Sequence, residues 1–251
     1  FNIGWEQQPK PIVRALGRFV ERGLVYKGKK PVHWCIRCRT ALAEAEVEYE
    51  PHVSPSVYVE FPLAPESAGE LGARVPALAG RPVSVLIWTT TPWTIPSNLA
   101  VAFHPDFDYA AYDVDGRMVI VAEALAASVA AAVQRAFGPP VARLKGTLLE
   151  RLRFEHPLYG RSSLGVLADY VTLETGTGAV HTAPGHGADD FRTGTRYDLD
   201  IYAPVGADGR LTVMVRGEPG AEGPCPLGAA EVAAKVPLRA RVGEGDGAVD
   251  V

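Results

Sequence analysis

The chain has 251 residues, 47% of them hydrophobic and 22% charged, with a net charge of −4. Those figures exclude wholesale disorder, and the acidic balance argues against a self-standing nucleic-acid binder. No apolar run approaches the roughly 18 residues that cross a bilayer, and FNIGWEQQPK lacks a basic stretch leading into an apolar one, so neither membrane insertion nor secretion is expected.

In chain order, residues 11–22 (PIVRALGRFVER) set Ile12, Leu16, Phe19 and Val20 on one helical face, with Gly23 as a stop. A short basic strand then leads through Cys35-Ile-Arg-Cys38 into an amphipathic or extended stretch. From His52 the pattern changes to short strands: SVYVEF, PVSVLIWTT, LAVAF, YAAYDV and RMVIVA. Asp115-Gly116 between the last two is a strong hairpin signal. Residues 121–137 read as one helix, with Leu125, Val129, Val133 and Phe137 at four-residue spacing and Gly138-Pro139-Pro140 ending it. Strands resume with SSLGVLADYVTLE, and Asp208-Gly209 marks another turn between YAPV and LTVMV. The expected fold is α+β: a β-rich, barrel-like domain with a few helices over residues 52–213, preceded by a helix and ribbon (1–51) and followed by a weakly structured tail (214–251). Alternating strands and long helices, the mark of a doubly wound sheet, are absent.

Two stretches carry polar residues in unusual density. WTTTPWTIPSN, residues 88–98, places hydroxyls at the end of an apolar strand. ETGTGAVHTAPGHGADDF, residues 174–191, reads as a glycine-bracketed loop holding His181, His186, Asp189 and Asp190. Hydroxyls orient water, an aspartate holds an ammonium group, and a histidine serves as acid, base or wall. With no evident covalent nucleophile, water attack on an activated acyl bond fits better than a ping-pong route. The plainer alternative is a tight loop around a satisfied histidine. No metal is expected there, because neither His-x-x-x-His nor His-Glu-x-x-His occurs. A serine triad lacks Gly-x-Ser-x-Gly, and Gly176-Thr177-Gly178 lacks the Lys of a phosphate loop. Cys35 and Cys38 have the spacing of half a zinc knuckle with no second half. With Cys225 they make three cysteines, which fits a reducing compartment, and a cytoplasmic location is expected.

WTTTPWTIPSN followed by GTGAVHTAPGHGADDF resembles the editing domain of the isoleucyl-tRNA synthetases, which are class I aminoacyl-tRNA synthetases. KPVHWCIRCRTALAEAEVEYE looks like the lead from their catalytic domain into that insertion, so the resemblance covers about residues 12–213. The valyl and leucyl sisters have Thr-Thr-Arg-Pro where this chain has Thr90-Thr91-Pro92 preceded by Thr89, and they lack a histidine at position 181. The resemblance implies hydrolysis of valine mischarged onto an isoleucine tRNA. Thr90, Thr91 and Asp190 would be catalytic; Thr89, Trp93, Thr94, Asn98 and His181, with Asp190, would bind substrate. Isoleucine and valine differ by one methylene, and isoleucyl synthetases are the standing example of how little a binding pocket gains from that. The implied partners are the 3′ end of tRNA(Ile), valine and the remainder of the synthetase. His-Ile-Gly-His and Lys-Met-Ser-Lys-Ser are absent from the sequence. ATP and Mg are therefore expected to serve the full-length enzyme, with no cofactor in this portion. A sister synthetase's editing piece, a non-catalytic module holding an amino acid or tRNA end, and a metal-dependent hydrolase are the rival readings.

Overall fold

The computed structural model describes residues 9–51 and 53–211. Its contacts divide the chain into a unit of residues 1–30 and a second from Pro31 onward. In the first unit, α1 (Pro9–Glu21) carries the predicted apolar face and ends as expected, with Gly23 at φ +69°. The expected tail at 214–251 and Cys225 lie outside the described residues.

The second unit opens with a ribbon, β1 (His33–Cys35) against β2 (Thr40–Leu42), whose turn holds Cys35 and Cys38. The Cys38 N–H donates to Cys35 Sγ at 3.3 Å and holds that thiol below its ordinary value. Trp34 anchors the ribbon by donating its indole N–H to the Ala207 carbonyl.

Two open sheets follow, in keeping with a β-rich α+β fold, and they do not merge into one closed barrel. The larger has the order β3-β4-β7-β6-β8 and the smaller β11-β5-β10-β9. In the larger, β3 (Val57–Pro62) pairs antiparallel with β4 (Val83–Thr89), and β4 runs parallel to β7 (Arg117–Ala122). β6 (Asp108–Val114) joins β7 through the expected Asp115-Gly116 turn, both residues at positive φ (52° and 85°), and β8 (Ala142–Lys145) closes that edge. In the smaller, β5 (Ala100–Phe103) lies between β10 (Ser162–Leu167) and β11 (Ala179–Thr182), with β9 (Arg153–Glu155) outside β10. A single bridge, Leu63 to Phe154, links the sheets at one edge. The core between them includes Phe61, Ile87, Phe103, Ile120 and Phe154, all fully buried. Each such side chain contributes roughly 1.5–3 kcal/mol of burial free energy.

Three expectations change. The helix read over 121–137 is only α3 (Ala126–Val133): Val121 and Ala122 complete β7, where both are fully buried, and Gln134 turns left-handed at φ 54° to end the helix. Cross-strand pairing on a buried face outweighed the four-residue spacing. Residues 65–74 form an unforeseen helix, α2 (Pro65–Arg74), begun by a proline at its first position. The stretch read as one loop, 174–191, is a strand, a turn and the start of α4 (Ala188–Arg196).

Candidate functional site

Strand β4 belongs to the larger sheet and β5 to the smaller, so the threonine-rich stretch is the crossing between sheets. Residues Pro92–Ser97 make a short 3-10 turn there, set by two prolines. β11 pairs antiparallel with β5 immediately beyond it, with Thr182 opposite Ala100 and His181 opposite Val101. Leu99 extends that ladder through its N–H to the Thr182 carbonyl. Pairing register, rather than sequence proximity, therefore brings the second polar stretch under the first.

The contact is direct: Thr94 Oγ1 and His181 Nε2 lie 3.0 Å apart. Thr94 gives its own proton to the Thr91 carbonyl at 2.8 Å, so it accepts from His181 Nε2–H. His181 is then a neutral imidazole with Nδ1 bare, and that nitrogen is buried without a hydrogen-bond partner. Burial, helped by the nearby His186, pushes its pKa down to about 4. Thr89 Oγ1 accepts the Thr91 N–H at 3.0 Å and lies 3.1 Å from the Thr91 hydroxyl, which completes a small hydroxyl cluster. Thr90 is held by its carbonyl, which accepts from Ser54. Trp93 is exposed on the turn, while Asn98 is buried and bonded to Ala100 and Ser163.

Asp190 sits in the first turn of α4, where Oδ2 accepts the Ala183 N–H at 2.7 Å. Burial raises its pKa to about 6, partly offset by that N–H and by the Tyr170 hydroxyl. The carboxyl is thus desolvated yet still ionised near neutrality, a state that favours a cationic partner.

A cavity of about 220 Å³ opens beside these groups, lined by Trp88, Thr89, Thr90, Tyr170, Thr175 and Gly176 among others. Thr89 and Thr90 reach it from the first stretch. Thr91, Trp93, Thr94, Asn98, His181 and Asp190 lie outside its lining. Tyr170 connects the parts: it lines the cavity, its hydroxyl lies 3.3 Å from Thr182 Oγ1, and burial, helped by the negative charge of Asp190, raises its pKa to about 12. Sequence reasoning passed over Tyr170, which stands in an ordinary strand-like run with no motif around it. Gly176 and Gly178 serve close packing. Both have positive φ, and a Cβ on Gly178 would stand 2.4 Å from that of Ala122. Among the described residues, no cluster of three His, Cys, Asp or Glu side chains is arranged to hold a metal ion.

A family profile, tRNA synthetases class I (I, L, M and V), matches residues 6–185. The chain is 53% identical over 199 residues to an isoleucine–tRNA ligase of Geobacter sulfurreducens, and 51% identical over 197 residues to that of Syntrophotalea carbinolica. Each match takes in 78% of this chain and 21% of the relative, so the chain spans about a fifth of the length of these relatives. Among solved structures, the cytosolic leucyl-tRNA synthetase editing domain of P. knowlesi overlaps 59% of this chain and 65% of its own, at 13% identity and a TM-score of 0.49. That of P. falciparum overlaps 59% and 71%, at 12% identity and 0.44. The sequence matches, which take in most of the chain, establish that it belongs to the class I tRNA synthetases of the I, L, M and V group.

Proposed function

We propose that this chain is the editing portion of an isoleucine–tRNA ligase and that it hydrolyses the ester of valine mischarged onto tRNA(Ile). The observation that supports this most is the bond between Thr94 and His181, which gathers the threonine cluster, the histidine and, one turn further, Asp190 around one locality.

In this reading Asp190 takes the α-ammonium group of the aminoacyl ester. A carboxylate held at a raised pKa by burial gains more from an incoming cation than a hydrated one does. Thr90 and Thr91 position the ester carbonyl and the attacking water, with Thr89 and Thr94 fixing the Thr91 backbone and hydroxyl. His181 is uncharged at neutral pH, so its part is that of a wall: with Trp93 it admits the valine side chain and excludes the extra methylene of isoleucine. Asn98 braces the turn through Ser163 and Ala100. The absence of arginine from Thr89-Thr90-Thr91-Pro92 and the identity to isoleucine–tRNA ligases favour this specificity over the valyl and leucyl alternatives. Charging of tRNA(Ile) with isoleucine, using ATP and Mg in the cytoplasm, is assigned to the remainder of such a ligase.

The test is deacylation of Val-tRNA(Ile) and Ile-tRNA(Ile) by this chain, with and without a chelator. Release of valine alone, indifferent to chelation, is the expected result. No release from either substrate would leave a binding module, and loss with chelator would mean a metal hydrolase.

A further inference from the structure

The threonine-rich turn is only partly held by its own backbone. Pro92 and Pro96 remove two of its N–H donors, while the Thr94 and Asn98 N–H groups donate to the Thr91 and Ile95 carbonyls at its two ends. Its carbonyls therefore look outward for donors. They find them on the connection between β9 and β10, residues 156–161. Arg161 Nη2 donates to the carbonyls of both Pro96 (2.5 Å) and Asn98 (3.0 Å). His156 Nε2–H donates to Ile95 at 2.9 Å while its Nδ1 accepts the Leu158 N–H. That second bond fixes the imidazole in its neutral form. The guanidinium is itself held between the rings of Tyr159 and Tyr202, 5.2 and 5.4 Å from their centroids. Tyr202 in turn abuts the turn before α4, where a Cβ on Gly185 would meet its carbonyl at 2.4 Å.

We propose that Arg161, assisted by His156, is a positioning residue: it fixes the threonine-rich turn from behind and ties it to the segment that carries Asp190. The catalytic consequence rests on the editing reading above. An arginine suits this place because its planar guanidinium packs on the rings of Tyr159 and Tyr202 while Nη2 serves both carbonyls, and a lysine ammonium has no flat face to stack there. A catalytic hydroxyl displaced by about 1 Å loses most of its effect on rate.

The experiment is Arg161→Lys in the full chain, read by two independent measurements. In deacylation of Val-tRNA(Ile), kcat should fall at least tenfold with KM changed less than twofold. In hydrogen exchange, the Thr94 and Asn98 amides should exchange at least tenfold faster while the amides of β5 keep their protection. Wild-type kcat together with unchanged exchange at the turn would overturn the proposal. So would acceleration spread evenly over β5 and the turn, the mark of a general loss of stability. If the wild-type chain releases no valine, the editing reading fails, and the exchange measurement still decides the clamp. His156→Ala, which leaves the Ile95 carbonyl to the Asn98 N–H alone, should give the same split at smaller amplitude, with His156→Gln restoring it; this pair decides the question if Arg161→Lys does not fold.

Discussion

Thr94 and His181 stand 87 positions apart and share a hydrogen bond of 3.0 Å, with His181 the donor and Thr94 passing its own proton to the Thr91 carbonyl. The bond makes the histidine part of the turn's framework and, in the editing reading proposed above, leaves its ring, rather than its charge, to act on a substrate. Two substitutions separate these roles.

In the editing reading proposed above, His181→Ala removes the wall. Ile-tRNA(Ile), which that reading has the parent chain spare, should then be deacylated within about tenfold of the rate for Val-tRNA(Ile), since only a methylene's worth of exclusion is lost. Thr94→Val keeps the volume and orphans His181 Nε2, at a cost of about 1–3 kcal/mol in stability, with Ile-tRNA(Ile) still spared. Parallel deacylation assays and urea melts check both. Cleavage of Ile-tRNA(Ile) by the Thr94 variant would mean that the bond, and not the ring's bulk, sets the exclusion.

Acid sensitivity follows from the same burial. His156 and His181 have folded pKa values of about 3 and about 4, both pushed down mainly by desolvation from an ordinary 6.5. The unfolded chain takes up their protons first, so stability falls as pH drops from about 6.5 toward 4. Asp190 opposes this, because its folded value of about 6 lies above the ordinary 3.8 and it binds its proton more tightly when folded. His186 is lowered by burial as well and Glu60 raised by it, so three histidines stand against two carboxylates and leave a net loss. Urea denaturation across pH 4–7 should show falling stability, and His156→Gln should flatten the slope by about one proton. A slope unchanged in that variant would refute the assignment.

Strands β3 to β7 were legible because each is a short apolar run bounded by turn residues, and Asp115-Gly116 named its own hairpin. Both halves of the candidate site were legible as dense polar stretches. Their meeting was not, because it depends on β11 choosing β5 as partner, and AVHT is too short to declare itself a strand. The four glycines of 174–191 suggested a loop, yet three of them, Gly176, Gly178 and Gly185, are there for close packing and the fourth, Gly187, merely precedes a helix. Tyr170, His156 and Arg161 were invisible for a related reason. Each is a lone polar residue in an unremarkable context, and its importance arises only where separate elements cross.

In the editing reading proposed above, Asp190 carries a tension between fold and function. Because its carboxyl binds protons more tightly when folded, stability declines as pH rises from about 4 through 6, and the full penalty persists at pH 7. Asp190→Asn removes that charge and keeps an oxygen for the Ala183 N–H. The variant should be more stable at pH 7 by about 1–2 kcal/mol, a discounted figure because the carboxyl retains part of its hydration. Loss of a charge-assisted bond to the ammonium should at the same time slow valine release by about 10- to 100-fold. Thermal melts and single-turnover deacylation measure the two effects. A variant that is both less stable and fully active would overturn both arguments at once.

Gly178 tests whether the floor of the cavity is a packing device. It sits at φ +75°, and an added Cβ would stand 2.4 Å from the Cβ of Ala122, which lies at the end of β7 in the larger sheet. Its carbonyl accepts the buried Tyr109 hydroxyl at 2.6 Å, so the backbone has little freedom to move aside. Strain at a positive φ and overpacking against β7 each cost about 1–3 kcal/mol. Gly178→Ala should therefore lose about 2–4 kcal/mol by urea denaturation. Gly69→Ala is the control, since a Cβ there meets nothing within 4 Å and the residue lies inside α2, where alanine is favoured. Equal stability of the two variants would show that the Gly176-Thr177-Gly178 segment yields readily, and that its glycines serve something other than the close approach of the two sheets.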